Sequence, residues 1–277
     1  MTLHLPIGVS DFRELIKYTD PKKEGYLYID KTTFIKEIIY DLTKVIVLTR
    51  PRRFGKTLNL SMLQYFFASE VKGKSTKKLF NNLAIAKELE CMEHQGQYPV
   101  IFISFKDIKE LTFASTINGL LDLVKDLYTE WSNILLTSDK INKADQCLIE
   151  DTLQQNLSED KLKRALKNLV NMVATATGQQ VYILIDEYDT PIQEAYIRGY
   201  YDQLIVFMRG FLSGPLKDNT SVKQSILTGI LRVSKESLFS GLSNLEIYSI
   251  LDQKYCNYFG FTENEVNDLL IKVGLPT

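Results

Sequence analysis

Two groups of residues in this chain have the types that triphosphate chemistry uses: Gly55-Lys56-Thr57, and the acid pair Asp186-Glu187 far downstream. A glycine lets backbone approach phosphate closely at the opening of a helix. A lysine ammonium there reaches the terminal phosphates, and a threonine hydroxyl ligates Mg²⁺. Asp186 would hold Mg²⁺ directly or through its water shell, and Glu187 would orient an attacking water or take its proton. Two further candidates follow. Thr228 is the polar end of a third strand and could hold the water or the γ-phosphate. Arg232 could contact the γ-phosphate from within the chain or from a neighbouring one. The expected set is thus Arg52, Arg53, Phe54, Gly55, Lys56, Thr57 and Leu58 for the nucleotide, Thr57 and Asp186 for the metal, and Glu187, Thr228 and Arg232 for catalysis. The pattern G-x-x-x-x-G-K-[ST] is incomplete, because Arg50 stands where its first glycine belongs. That glycine serves the turn, whereas the groups that touch phosphate remain, and Pro51 fixes its own φ.

Each group needs an element to position it. Val45–Thr49 is an apolar run that reads as a buried strand, followed by a short turn and an amphipathic helical run, Leu58–Phe67. Val181–Ile185 is a continuous apolar run that stops at the two acids, as a strand buried on both faces does where it leaves its sheet. Unpaired acids at such a place are costly, unless a metal, water or a helix amino terminus satisfies them. Val222–Thr228 is a third strand; in ATPases whose sensor strand lies between the phosphate-loop and acidic strands, its terminal polar side chain does the work. Tyr98–Phe105 and Leu245–Leu251 complete five strands, and Tyr26–Ile29 reads as a further short one. Asp30 or Thr32 caps a helix carrying Phe34, Ile35, Ile38 and Ile39 on its apolar side. Helical periodicity marks Phe113–Leu136, the run from Leu162 to a stop at Gly178, the region of Leu204–Phe211, and Glu263–Val273. Asn81–His94 reads as helical and Thr137–Gln146 as a polar loop. Strands separated by helices, with a phosphate loop after one of them, predict a doubly wound, mainly parallel five-stranded α/β sheet with helices on both faces and its ligand at the strands' carboxyl ends.

Composition narrows the classes. With 45% hydrophobic and 24% charged residues the chain reads as ordinary globular protein. Its formal net charge of -1 gives no global pull toward nucleic acid or anionic membrane. A basic cluster at Lys72, Lys74, Lys77 and Lys78 reads as a solvated loop. Three scattered cysteines and two histidines lack metal-ligand spacing. Neither a signal peptide nor a membrane-spanning run is legible, which predicts a cytoplasmic protein. Asn142-Lys143-Ala144-Asp145 matches the guanine-reading N-K-x-D pattern, but it sits in polar sequence before the acid pair rather than after a buried strand, and reads as a chance match. Gly-x-Gly, G-x-S-x-G and H-E-x-x-H are all absent, which leaves hydride transfer, that class of serine hydrolase and zinc proteolysis without support.

Several blocks, in order, resemble the AAA-ATPase-like family: Leu5-Pro6-Ile7-Gly8, Tyr28-Ile29-Asp30-Lys31-Thr32, Arg50–Leu58, Leu184–Pro191, Leu227–Arg232, Ser237–Asn244 and Phe259-Gly260-Phe261-Thr262. The resemblance implies an ASCE-type P-loop core that binds ATP with Mg²⁺, and it makes the missing first glycine expected. Similar proteins often continue into a helical portion and a PD-(D/E)XK nuclease-like domain. This chain ends at Thr277, so the expected division is an AAA-ATPase-like domain over 1–260 and the start of a truncated C-terminal helical region over 261–277. The function expected is Mg-dependent ATP binding and hydrolysis coupled to conformational change, with a protein partner. The alternative is a non-hydrolysing, nucleotide-dependent interaction module, nucleic-acid-associated in one version.

Overall fold

The computed structural model describes residues 3–17, 19, 25–231, 238–239 and 243–272. In chain order the elements are β1 (Leu3–His4), α1 (Phe12–Lys17), β2 (Gly25–Tyr26), α2 (Phe34–Tyr40), β3 (Val45–Thr49), α3 (Lys56–Phe67), β4 (Glu70–Val71), β5 (Lys74–Ser75), α4 (Leu89–Met92), β6 (Val100–Ser104), α5 (Phe113–Thr137), α6 (Lys143–Leu153), α7 (Glu159–Thr177), β7 (Val181–Asp186), α8 (Thr190–Arg198), α9 (Tyr201–Leu216), β8 (Val222–Gly229), β9 (Leu245–Tyr248) and α10 (Glu263–Lys272). Contacts divide the chain into two units. The first is Met1–Leu42, Thr49–Gln97 and Tyr248–Thr277; the second is Thr43–Leu48 and Tyr98–Ile247.

The second unit holds the sheet. Five strands lie parallel in the order β6-β7-β8-β3-β9, with helices around them. β8 therefore separates β7 from β3, the strand order expected of a P-loop ATPase core. The register sets Ser104 beside Asp186 across β6 and β7, and Ile185 beside Leu227 across β7 and β8. Every residue of β3 and of β7 is buried, because each strand is covered on both faces. The core beneath them is aliphatic and aromatic: Ile101, Ile103, Ile183 and Ile185 meet Leu120, Val124, Leu166 and Val173 from α5 and α7. α5 starts at a capping box in which Thr112 and Ser115 exchange side-chain-to-backbone bonds. α7 ends as expected at Gly178, whose φ of 73° is the left-handed conformation that glycine enters without strain.

The first unit is built on aromatic contacts. Phe12 stacks on Phe80 at 5.2 Å and Phe66 meets Phe80 edge-on at 5.1 Å. Phe34 on α2 packs against the rings of Tyr255, Tyr258 and Phe259. Asp30 does not cap α2; its carboxylate accepts from the Thr32 N–H at 2.8 Å and from the Ala84 N–H at 2.7 Å, fixing the start of a 3-10 turn at Ala84–Lys87. The Lys72-Gly73 turn between β4 and β5 has φ of 51° and 69°, a two-residue hairpin turn of the primed type, so the lysine cluster lies on an exposed loop.

Three elements differ from expectation. Tyr26–Ile29 contributes only its first residue to a strand, β2, which pairs with β1 over two residues. Asn81–His94 is not one helix but the 3-10 turn and the single-turn α4. Thr137–Gln146 is not all loop, because α6 begins at Lys143. Asn142 is its N-cap, its Oδ1 accepting from the Asp145 N–H at 3.0 Å while its Nδ2 donates to the Asp145 carboxylate at 2.7 Å. The N-K-x-D match is therefore a helix start. Replacing the cap, Asn142→Ala, should lower stability by about 1 kcal/mol. Affinities for ATP and GTP, measured by calorimetry, should stay unchanged.

Candidate functional site

Within the first unit, the chain leaves β3 at Thr49 and enters the loop Arg50–Gly55, which opens α3 at Lys56. Gly55 takes the N-cap position with φ 79°, and no side chain caps the helix. Arg53 is also left-handed at φ 67°, uncommon for a residue with a Cβ. A helix amino end that begins from such a turn, with no acid in its first turn, has the electrostatics of an anion site. Lys56 is 7% exposed and curls back along the loop, its Nζ donating to the Arg50 carbonyl at 3.0 Å and to the Pro51 carbonyl at 2.9 Å. Arg52 and Arg53 are exposed, while Phe54, Thr57 and Leu58 are half-buried.

Arg50, the residue in the glycine's place, is 1% exposed. Its Nη1 donates to the carbonyls of Thr49 and Tyr248, both at 2.9 Å, and its guanidinium lies 5.0 Å over the ring of Phe259. Nε and Nη2 make no hydrogen bond among the described residues. Burial pulls its pKa below the usual arginine value, and Asp252 opposes the shift. The same downstream segment is tied to the loop twice more. The Gly260 N–H donates to the Phe54 carbonyl at 3.1 Å, and Asn59 Nδ2 donates to the Tyr258 carbonyl at 2.8 Å. Gly260 is also where the Phe54 ring comes closest; a Cβ there would stand 3.0 Å from Cδ1. Beyond it, Lys31 Nζ donates at 2.5 Å to the Asn257 carbonyl and pairs at 2.5 Å with Glu265 on α10. Burial raises the Glu265 pKa, but Lys31 and the Thr262 N–H outweigh it and hold the carboxyl below its usual range.

Within the second unit, β7 delivers Asp186 at 1% exposure. The Thr228 hydroxyl at the end of β8 donates to Asp186 Oδ1 at 2.6 Å, so the sequence-expected acid and sensor residues meet. Glu187 follows with φ 53°, left-handed, which turns the chain out of the strand and leaves its carboxylate half-buried. The Thr190 hydroxyl donates to Glu187 Oε2 at 3.1 Å and orients it. Arg232 lies outside the described residues. No cluster of three or more His, Cys, Asp or Glu among the described residues forms a metal cage. The hard oxygen donors, Thr57 and Asp186, are of the kind Mg²⁺ takes when phosphate and water complete its shell.

A family profile described as "Predicted AAA-ATPase" matches residues 6–239, which spans α1–β8 and both groups. The chain belongs to the AAA-ATPase-like family. Nucleotide binding is the activity that family's name suggests. A relative from Azotobacter chroococcum mcd 1, called "Uncharacterized protein in vnfD 5'region", is 29% identical over 264 residues, covering 95% of this chain and 44% of the relative. The chain thus spans less than half of that protein's length. No solved structure matches. Among the described residues, no helix is long and apolar enough to cross a membrane.

Sequence reasoning overlooked what holds this AAA-ATPase-like chain's candidate residues in place: Arg50, Asn59, Tyr188 and Asp189. The signal available was their type. A buried arginine in a glycine position and an aspartate just after an acid pair must each find a partner. Restoring the consensus glycine, Arg50→Gly, should therefore destabilise the AAA-ATPase-like fold, by about 2–4 kcal/mol in a urea titration, since it removes two charged hydrogen bonds and a buried side chain.

Proposed function

We propose that this AAA-ATPase-like chain binds Mg²⁺–ATP, hydrolyses it, and couples the loop's change of state to the segment that follows β9. The observation that carries the reading is the Thr228–Asp186 bond at 2.6 Å, at the shared carboxyl ends of β8 and β7. The strand order supports it, because β3, on the other side of β8, leads straight into the Gly55-Lys56-Thr57 loop.

In this reading the α3 amino end and Lys56 take the phosphates, with the loop from Arg52 to Leu58 around them. Lys56 would exchange the carbonyls of Arg50 and Pro51 for phosphate oxygens, a pairing of full charges in place of dipoles. Mg²⁺, when bound, supplies neutralisation of the phosphate charge, with the Thr57 hydroxyl and Asp186 carboxylate as its protein ligands. Glu187 takes a proton from the attacking water as its oxygen joins the γ-phosphorus and the bond to the β-phosphate oxygen breaks, leaving ADP and phosphate. Thr228 holds Asp186 in place and orients the water; Arg232 neutralises charge developing on the γ-phosphoryl group. The loop is tied through Arg50, Phe54 and Asn59 to residues 248–260, so a loop that re-forms on phosphate must re-form those contacts too. That link supports conformational coupling, which a protein partner would read.

Calorimetry with ATP tests the binding half. Lys56→Ala should lose affinity by tenfold or more, roughly, for the loss of a charged contact; unchanged affinity would remove Lys56 from the site. Phosphate release tests the chemical half. Glu187→Gln should bind ATP within about threefold of the natural chain while turnover falls by about 10²–10⁴. A natural chain that binds ATP and releases no phosphate is instead the non-hydrolysing module.

A further inference from the structure

Asp189 is 1% exposed, three residues past Asp186, and no role above uses it. It occupies the N-cap position of α8, where an aspartate ordinarily accepts from the helix's own first N–H groups, yet it makes no such bond. Its side chain is turned away to the end of β8. Oδ2 accepts from the Ile230 N–H at 3.0 Å, the Leu231 N–H at 2.7 Å and Gln193 Nε2 at 2.6 Å. Oδ1 makes no hydrogen bond among the described residues and lies against Gly229, where a Cβ would stand 2.7 Å from it. Tyr188 grips the same stretch. Its hydroxyl donates to the Leu231 carbonyl at 2.6 Å and its N–H to the Thr228 carbonyl at 3.1 Å.

Together these bonds take up the Thr228 carbonyl, the Ile230 amide and both backbone groups of Leu231. A buried carboxylate must be paired, and among the described residues Asp189 finds its pairing in two successive amides and Gln193. The acid turn and the exit of β8 are thereby one clasped piece: Asp186 is tied to Thr228, Tyr188 to Thr228 and Leu231, and Asp189 to Ile230 and Leu231. Gly229 leaves room for nothing else.

We propose that Asp189, assisted by Tyr188, is a positioning residue for hydrolysis. It holds the Thr228–Leu231 backbone in register with Asp186-Glu187, so that the water-activating carboxylate and the sensor hydroxyl keep one spacing. It touches neither nucleotide nor metal. The inference rests on the ATPase reading and deepens it. Its consequence is a split between steps, in which Asp189 governs turnover and leaves nucleotide binding alone.

The test compares the natural chain with Asp189→Asn, Asp189→Ala and Tyr188→Phe, by steady-state ATPase assay, by calorimetry with ATP, and by hydrogen exchange of the Ile230 and Leu231 amides. Asp189→Asn keeps shape but loses the charge. It should lower kcat by about tenfold or more, as small misplacements of reacting groups do, with KM and Kd within about threefold. Exchange at the two amides should quicken. Asp189→Ala should lose more turnover and Tyr188→Phe less; if the alanine variant fails to fold, the other two, which keep volume, decide. A folded Asp189→Asn chain with natural kcat, or one whose defect lies in KM alone, overturns the proposal while the ATPase reading stands. Absence of turnover in the natural chain removes that reading, and the positioning role with it.

Discussion

A carboxylate at 1% exposure on a strand covered on both faces must be paired, and Asp186 is paired one strand over, by the Thr228 hydroxyl. That bond requires β8 to lie beside β7, parallel to it, with Ile185 opposite Leu227, so that the two polar residues fall level at the strands' ends. A slip of one residue would send Thr228 to the other face of the sheet and break that bond. The irregularity in register sits at the far end of the pair, between Val181 and Tyr182, whose partners are Val222 and Gln224, so that Lys223 is passed over. The apolar residues of β7 and β8 pack the sheet, and the polar pair Asp186 and Thr228 dictates how the two strands must be aligned.

The loop after β3 solves a different problem. A glycine at position 50 would give the turn conformational freedom; an arginine there gives it anchorage. Its guanidinium is sealed between the carbonyls of Thr49 and Tyr248 and the face of Phe259. Burial disfavours the cation, which lowers its pKa, and the carbonyl dipoles and the ring quadrupole offset that penalty. The freedom the turn still needs comes from Arg53 and Gly55, both left-handed. The departure from the usual phosphate-loop pattern is thus a change in how the turn is held, and it leaves Lys56 and Thr57 where the pattern sets them.

Much of this was legible in the residues. β3 and β7 follow continuous apolar runs, because strands buried on both faces have no polar alternation to blur their limits, while β8 keeps Lys223, Gln224 and Ser225 among its apolar residues. α5 and α7 carried helical periodicity and, in α7, a glycine stop. The failures have physical causes. Asn81–His94 has apolar residues at helical spacing, but Asp30 and Thr32 take the Ala84 and Ile85 amides and impose a tighter turn. Asn142 lies in polar sequence because a solvated N-cap is polar. Arg50, Tyr188 and Asp189 were legible as chemistry but not as positions, since each acts on backbone groups remote in sequence, and a backbone carbonyl or amide carries no signature of its own.

The loop after β3 and the acid turn, each within its own unit, share one construction. In the loop, Lys56 is followed three residues later by Asn59, which bonds the Tyr258 backbone; in the acid turn, Asp186 is followed three residues later by Asp189, which bonds the Ile230 and Leu231 backbone. The residue fit for chemistry and the residue that holds backbone remote in sequence are carried on the same turn of chain. Backbone partners make such a link insensitive to side-chain identity at the far end but sensitive to its path. A displacement of the turn by a fraction of a bond length cannot be absorbed by a rotamer change at Leu231 or Tyr258; the main chain itself must follow.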